Sequence, residues 1–160
     1  MHLPTLNPDT IIAAVLVASA LYAFVGGTVR VRSFILATYV GIVLAGTAAT
    51  VAPYAKSLGT LGLDLVLLGS PVVLFALPPH HSRGHKGNGI INILMGLAAG
   101  AFLVVAALHV IPPSVATQVE NNSLFASNLQ GFYIWFVILM PLVALIPHIM
   151  EHRHKRAHHG

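Results

Sequence analysis

Asp64 and His109 are the residues best placed to do chemistry in an otherwise apolar chain. Asp64 lies in the apolar run Thr60 to Pro79, and His109 near the end of the run Ile90 to Ile111. A charged carboxylate at mid-bilayer costs roughly 3 kcal/mol or more, so an acid within a membrane span is a functional candidate by default. Both residues fall a few positions from the same end of their runs, at similar depth, where they can pair as a proton or cation site. The competing reading is a shallow aspartate reaching headgroups beside an interfacial histidine. Nearness to the ends favours that second reading.

Histidine is the other chemical signal, with 10 in the chain. His148 and His152 share a helical face if the helix continues, at an i, i+4 spacing that suits Zn²⁺ or Ni²⁺. His80, His81 and His85 form one further group, and His154, His158 and His159 another. The simpler reading is a basic, pH-responsive surface lying on anionic headgroups. The spacing is not HExxH, so a zinc protease is not indicated. A haem shared by His109 and His148 is excluded, because they sit at opposite faces of the membrane. Pairing of His80 or His81 with His148 stays open. Cysteine is absent, which removes disulfides, thiolate metal sites and iron–sulfur ligation by this chain. No nucleophile–base pair, phosphate loop or carboxylate pair can be assembled. The chain is therefore expected to be no enzyme and to hold no cofactor.

Composition decides what surrounds these residues. Of the 160 residues 56% are hydrophobic and only 8% are charged, with a mean hydropathy of +0.84. A soluble domain carries roughly 25% charged residues, so a bilayer is the expected solvent. The pI of about 9.9 does not point to nucleic acid, because the basic residues sit in short clusters beside apolar runs. Met1 to Asp9 contains no Lys or Arg, so the first run is expected to be a retained span and not a cleaved signal.

The expected fold is all-α: a polytopic membrane protein of about five transmembrane helices and one interfacial helix. Residues 1–150 form one domain, with spans at about 9–27, 33–54, 60–79, 90–111 and 131–150 and an interfacial amphipathic helix at about 114–130. Residues 151–160 form a His-rich basic tail. Pro71, Pro141 and Pro147 are expected to kink or interrupt their helices. Arg30, Arg32, Arg83, Lys86, Arg153, Lys155 and Arg156 then share one side, with Lys56 on the other. The positive-inside rule makes the basic side cytoplasmic, with the N-terminus outside and the C-terminus inside. Asn121-Asn122-Ser123 is a glycosylation sequon on the outer side.

Asn92, Gly96 and Gly100 share a face of the fourth run, and Gly41 and Ala45 share one on the second. Gly96 and Gly100 form a GxxxG pair. Small residues at this spacing let helix backbones approach closely, so these five are read as packing residues, within the chain or between copies.

Asp9, Gly26-Gly27, Val29-Arg30 and Ser33 lead into a Gly/Ala-rich second run. Together with Gly87-Asn88-Gly89, Gly96, Gly100 and Asn122-Ser123-Leu124, they make the chain resemble the CvpA-like family, the colicin V production proteins. The resemblance covers Asp9 to Leu129. Family members commonly have four spans and more charge between the second and third, and the His-rich tail is outside their pattern. The resemblance implies a bacterial inner-membrane accessory protein linked to secretion or envelope maintenance, and carries over no catalytic residue. The leading expectation is a non-enzymatic scaffold subunit that contacts the bilayer and other membrane proteins or its own copies, with no nucleic-acid partner. A small oligomeric transporter using Asp64 and His109 is the alternative. A haem- or metal-anchoring membrane subunit is the weaker one.

Overall fold

The computed structural model describes residues 7–47, 59–76 and 89–144. They form six α-helices: α1 Pro8–Ala45, α2 Gly59–Ala76, α3 Gly89–Val110, α4 Pro113–Asn122, α5 Leu124–Gln130 and α6 Tyr133–Ala144. Local signals set the starts. α1 opens on Pro8, with the Asn7 side chain accepting the Asp9 N–H at 3.1 Å and Asp9 in the first turn. α4 opens on Pro113, where a missing N–H costs no helix bond.

One glycine shapes the whole first element. Gly27 has φ 68° and ψ −172°, a region open to glycine almost alone. The chain reverses there. The rings of Tyr22 and Phe34 are 6.2 Å apart, whereas the same stretch of straight helix spans about 18 Å. The Arg30 guanidinium lies 5.8 Å from the Tyr22 ring across the same turn. α1 is therefore a hairpin of two arms, residues 8–26 and 28–45.

α3 packs along both arms. One buried cluster joins Ala23 of the first arm, Val31 and Ile35 of the second, Ala99 and Phe102 of α3, and Met140 of α6. A second gathers Ile12, Val104, Leu108, Ile111, Ala116 and Ala126 at the other end of α3. α6 is tied in by the Tyr39 hydroxyl, which donates to the Val137 carbonyl at 2.6 Å, while the Tyr39 ring lies 4.8 Å from that of Phe102.

The expectation of about five spans is corrected. Two helices, Pro8–Ala45 and Gly89–Val110, are long and apolar enough to cross a membrane, or up to three if a bent pair counts as one. Three features explain the difference. The first two apolar runs are one element folded at Gly27. The apolar stretch of α2, Gly59–Phe75, is too short to count. Of the last run, 131–150, the described helix is α6, Tyr133–Ala144, which counts toward a span only as one half of a pair with α5, bent by 72°. The single interfacial helix is likewise two helices, separated at Ser123, whose backbone is extended (φ −139°, ψ 119°). Pro71 and Pro141 both lie within continuous helices. Pro147 and the tail 151–160 fall outside the described residues.

Gly27→Ala must force a side chain into a conformation that costs of order 1–3 kcal/mol, so it should clearly lower the thermal midpoint in detergent. Gly69→Ala is the matched control: its Cβ would meet nothing within 4 Å among the described residues, and Ala gains about 1 kcal/mol over Gly in a helix. Circular dichroism melts of the two variants should move in opposite directions.

Candidate functional site

Among the described residues the small-residue face of α3 is the most closely packed site, and its partner is the chain itself. A Cβ placed on Gly96 would lie 2.5 Å from the Ala23 Cβ, 2.7 Å from the Ser19 carbonyl oxygen and 3.0 Å from the Ala20 Cα. A Cβ on Gly100 would lie 2.7 Å from Ser19 Oγ and 3.5 Å from the Leu16 Cα. The two glycines bring α3 against the backbone of the first arm. Ser19 fits this dry seam because its hydroxyl donates to the Val15 carbonyl of its own helix at 2.8 Å.

Asn92 continues the same face toward the Gly27 turn. It is 3% exposed, and its Oδ1 has no hydrogen-bond partner among the described residues. Gly41 is used in the same way as Gly96, against the backbone of α2 at Leu68. Ala45, one turn on, is buried. Gly41, Ala45, Asn92, Gly96 and Gly100 thus all lie on inward faces.

The residues read as chemical are spread apart. His109 is exposed, and its ring stacks on Tyr133 at 4.1 Å with 16° between the planes. Asp64 is half-buried on α2, four residues before Leu68 and so on the face that meets the second arm. Among the described residues no hydrogen bond or ion pair joins Asp64 to His109. Those residues also contain no group of three or more His, Asp or Glu that could hold a metal. His148, His152 and the histidines of 80–85 and 154–159 lie outside the described residues.

One polar constellation escaped the sequence reading. Asp9 accepts the Ser123 hydroxyl and also the Phe125 N–H at 3.4 Å. Ser123 in turn accepts the Ala126 N–H at 3.0 Å, capping α5. The start of α1 is thereby tied to the α4–α5 junction. A carboxylate suits the N-terminus of a helix, where N–H groups lack partners. The sequence did hold a signal: Ser123 stands three residues before Ala126 at cap spacing, within a polar break between two apolar runs.

The seam predicts two different responses. Gly96→Ala meets two backbone atoms, so no single truncation on α1 should restore it. Gly100→Ala meets mainly the Ser19 side chain, so Ser19→Gly should recover much of the loss. Each single change should cost about 1–3 kcal/mol by overpacking, and thermal unfolding of the singles and doubles checks the contrast.

No family model matches the chain, no curated protein resembles it in sequence, and no solved structure matches its fold.

Proposed function

We propose that this chain is a non-enzymatic integral membrane protein, an accessory or scaffold subunit of a larger envelope complex, as the CvpA-like resemblance implies. The observation that carries the reading is where the molecule spends its packing residues. Its glycine seams are consumed internally, while its outward faces stay apolar. Ile134, Trp135, Ile138 and Leu142 on α6 are all more than half exposed, in line with a helix that presents side chains to lipid or to neighbouring helices. Native mass spectrometry of the gently solubilised assembly should find the chain bound to other polypeptides. A bare monomer or a defined homo-oligomer would overturn the reading.

An orientation goes with it. Among the described residues the basic side chains, Arg30 and Arg32, sit next to the Gly27 turn, and the start of α3 lies at the same end: a Cβ on Gly89 would lie 3.2 Å from the Phe24 ring. Asp9 and Glu120 line one cavity at the opposite end. The positive-inside rule puts the arginine end in the cytoplasm and the Asp9 end outside. The cysteine-free chain makes the test clean. In intact cells an impermeant maleimide should label Asn121→Cys but not Val29→Cys, and the reverse pattern would refute the orientation.

A further inference from the structure

An apolar groove of about 580 Å³ runs between α1, α2, α3 and α4 and is open along one side. Ile12, Gly69, Val72, Leu108, Val115 and Val119 are among its lining residues, and every residue of the lining is Ile, Leu, Val, Ala or Gly. A second cavity of about 550 Å³ is polar and lined by Asp9, Glu120 and the segment from Asn121 to Leu124, with Ser127. Their linings share no residue but lie within a turn of each other along two helices: Asp9 stands three residues before Ile12 on α1, and Glu120 directly follows Val119 on α4.

We propose that the pair forms one site for an amine-headed lipid of the surrounding bilayer, with a hydrocarbon chain in the groove and the ammonium at the Asp9 and Glu120 carboxylates. The groove is open along one side and lined by hydrocarbon alone, so a single alkyl chain can enter it from the bilayer. Charge selects the head. Two carboxylates line the polar cavity, and the described cations, Arg30 and Arg32, lie at the far end of the bundle. An ammonium gains charge-assisted hydrogen bonds there, whereas an anionic head is repelled. Gly69 adds a further sign, since it lines the groove and among the described residues nothing lies within 4 Å of where its Cβ would stand. The site needs only that the chain lies in a membrane, so it stands whether or not the chain is an accessory subunit.

The test uses the full chain in detergent with phosphatidylethanolamine or phosphatidylglycerol of identical acyl chains, read by native mass spectrometry. The wild type should retain phosphatidylethanolamine at least about tenfold better. Gly69→Phe should fill the groove and abolish retention with the thermal midpoint preserved. Glu120→Gln, on a partly exposed side chain, should keep lipid binding but lose most of the headgroup preference. Equal retention of the two lipids by the wild type would overturn the proposal. Undiminished retention in a folded Gly69→Phe would overturn it too. If Gly69→Phe fails to fold, the Glu120→Gln comparison decides alone, and an unchanged preference there refutes the assignment.

Discussion

The bundle depends on how closely the α3 backbone approaches the first arm of α1. In a bilayer, where we propose that the chain lies, there is no hydrophobic drive between helices, because the solvent is as apolar as the side chains. Dispersion contact must supply the attraction, and it falls off over fractions of an ångström. Gly96 and Gly100 remove the side chains that would hold the helices apart, and Ser19, Ala20 and Ala23 keep the facing surface small. With that distance set, Ala99 and Phe102 reach the space between the two arms, and Phe102 is fully buried there. Tyr39 can then both lie against Phe102 and donate to Val137. Placement of α6 thus follows from a contact on α3 that α6 does not make.

Gly27 is the second constraint, and it acts on topology. Without a backbone open to positive φ, residues 8–45 would run as one rod of about 57 Å, nearly twice the hydrocarbon thickness of a bilayer. The reversal brings Ala23 and Ile35 into one cluster and confines the described arginines to one end. At the other end the ties are polar. Asp9, Ser123 and the first turn of α5 satisfy one another in a short chain of hydrogen bonds. Hydroxyls inside the bundle are handled differently: Ser19 and Thr38 donate back to carbonyls of their own helix, so they need no partner across the seam.

How much of this could be read from residue order differs by residue. Gly96, Gly100 and Asn92 were legible as a packing face, since periodicity fixes which residues share a side. Their partner was not, because a GxxxG face looks the same whether it meets its own chain or another copy. Gly26-Gly27 was legible as a boundary between apolar runs, but hydropathy does not encode a φ angle, so the merged element came from the structure. The span count failed for a related reason. Apolar length is additive along the sequence, whereas spanning length also depends on where helices break, and the break at Ser123 is tied across the fold to Asp9. The Asp9–Ser123 tether joins residues more than a hundred positions apart, beyond the reach of any local pattern. Asp64 and His109 share a nominal depth, but depth leaves the rotation about each helix axis open, and His109 faces Tyr133.

The glycines of the bundle do not all serve one purpose. Gly41, Gly96 and Gly100 each have neighbours inside the distance a Cβ needs, so close packing accounts for them. Gly69 has none among the described residues, although it lies within a helix. A glycine there costs about 1 kcal/mol against alanine, and no described contact offsets that loss. The gap is continuous with a groove bounded by four helices and floored only by hydrocarbon. A fold that packs so tightly elsewhere could have closed this space with one larger side chain on α2. Helix packing therefore explains the seam but not the groove, and the groove's missing side chain is better understood as room kept for something that enters from the bilayer.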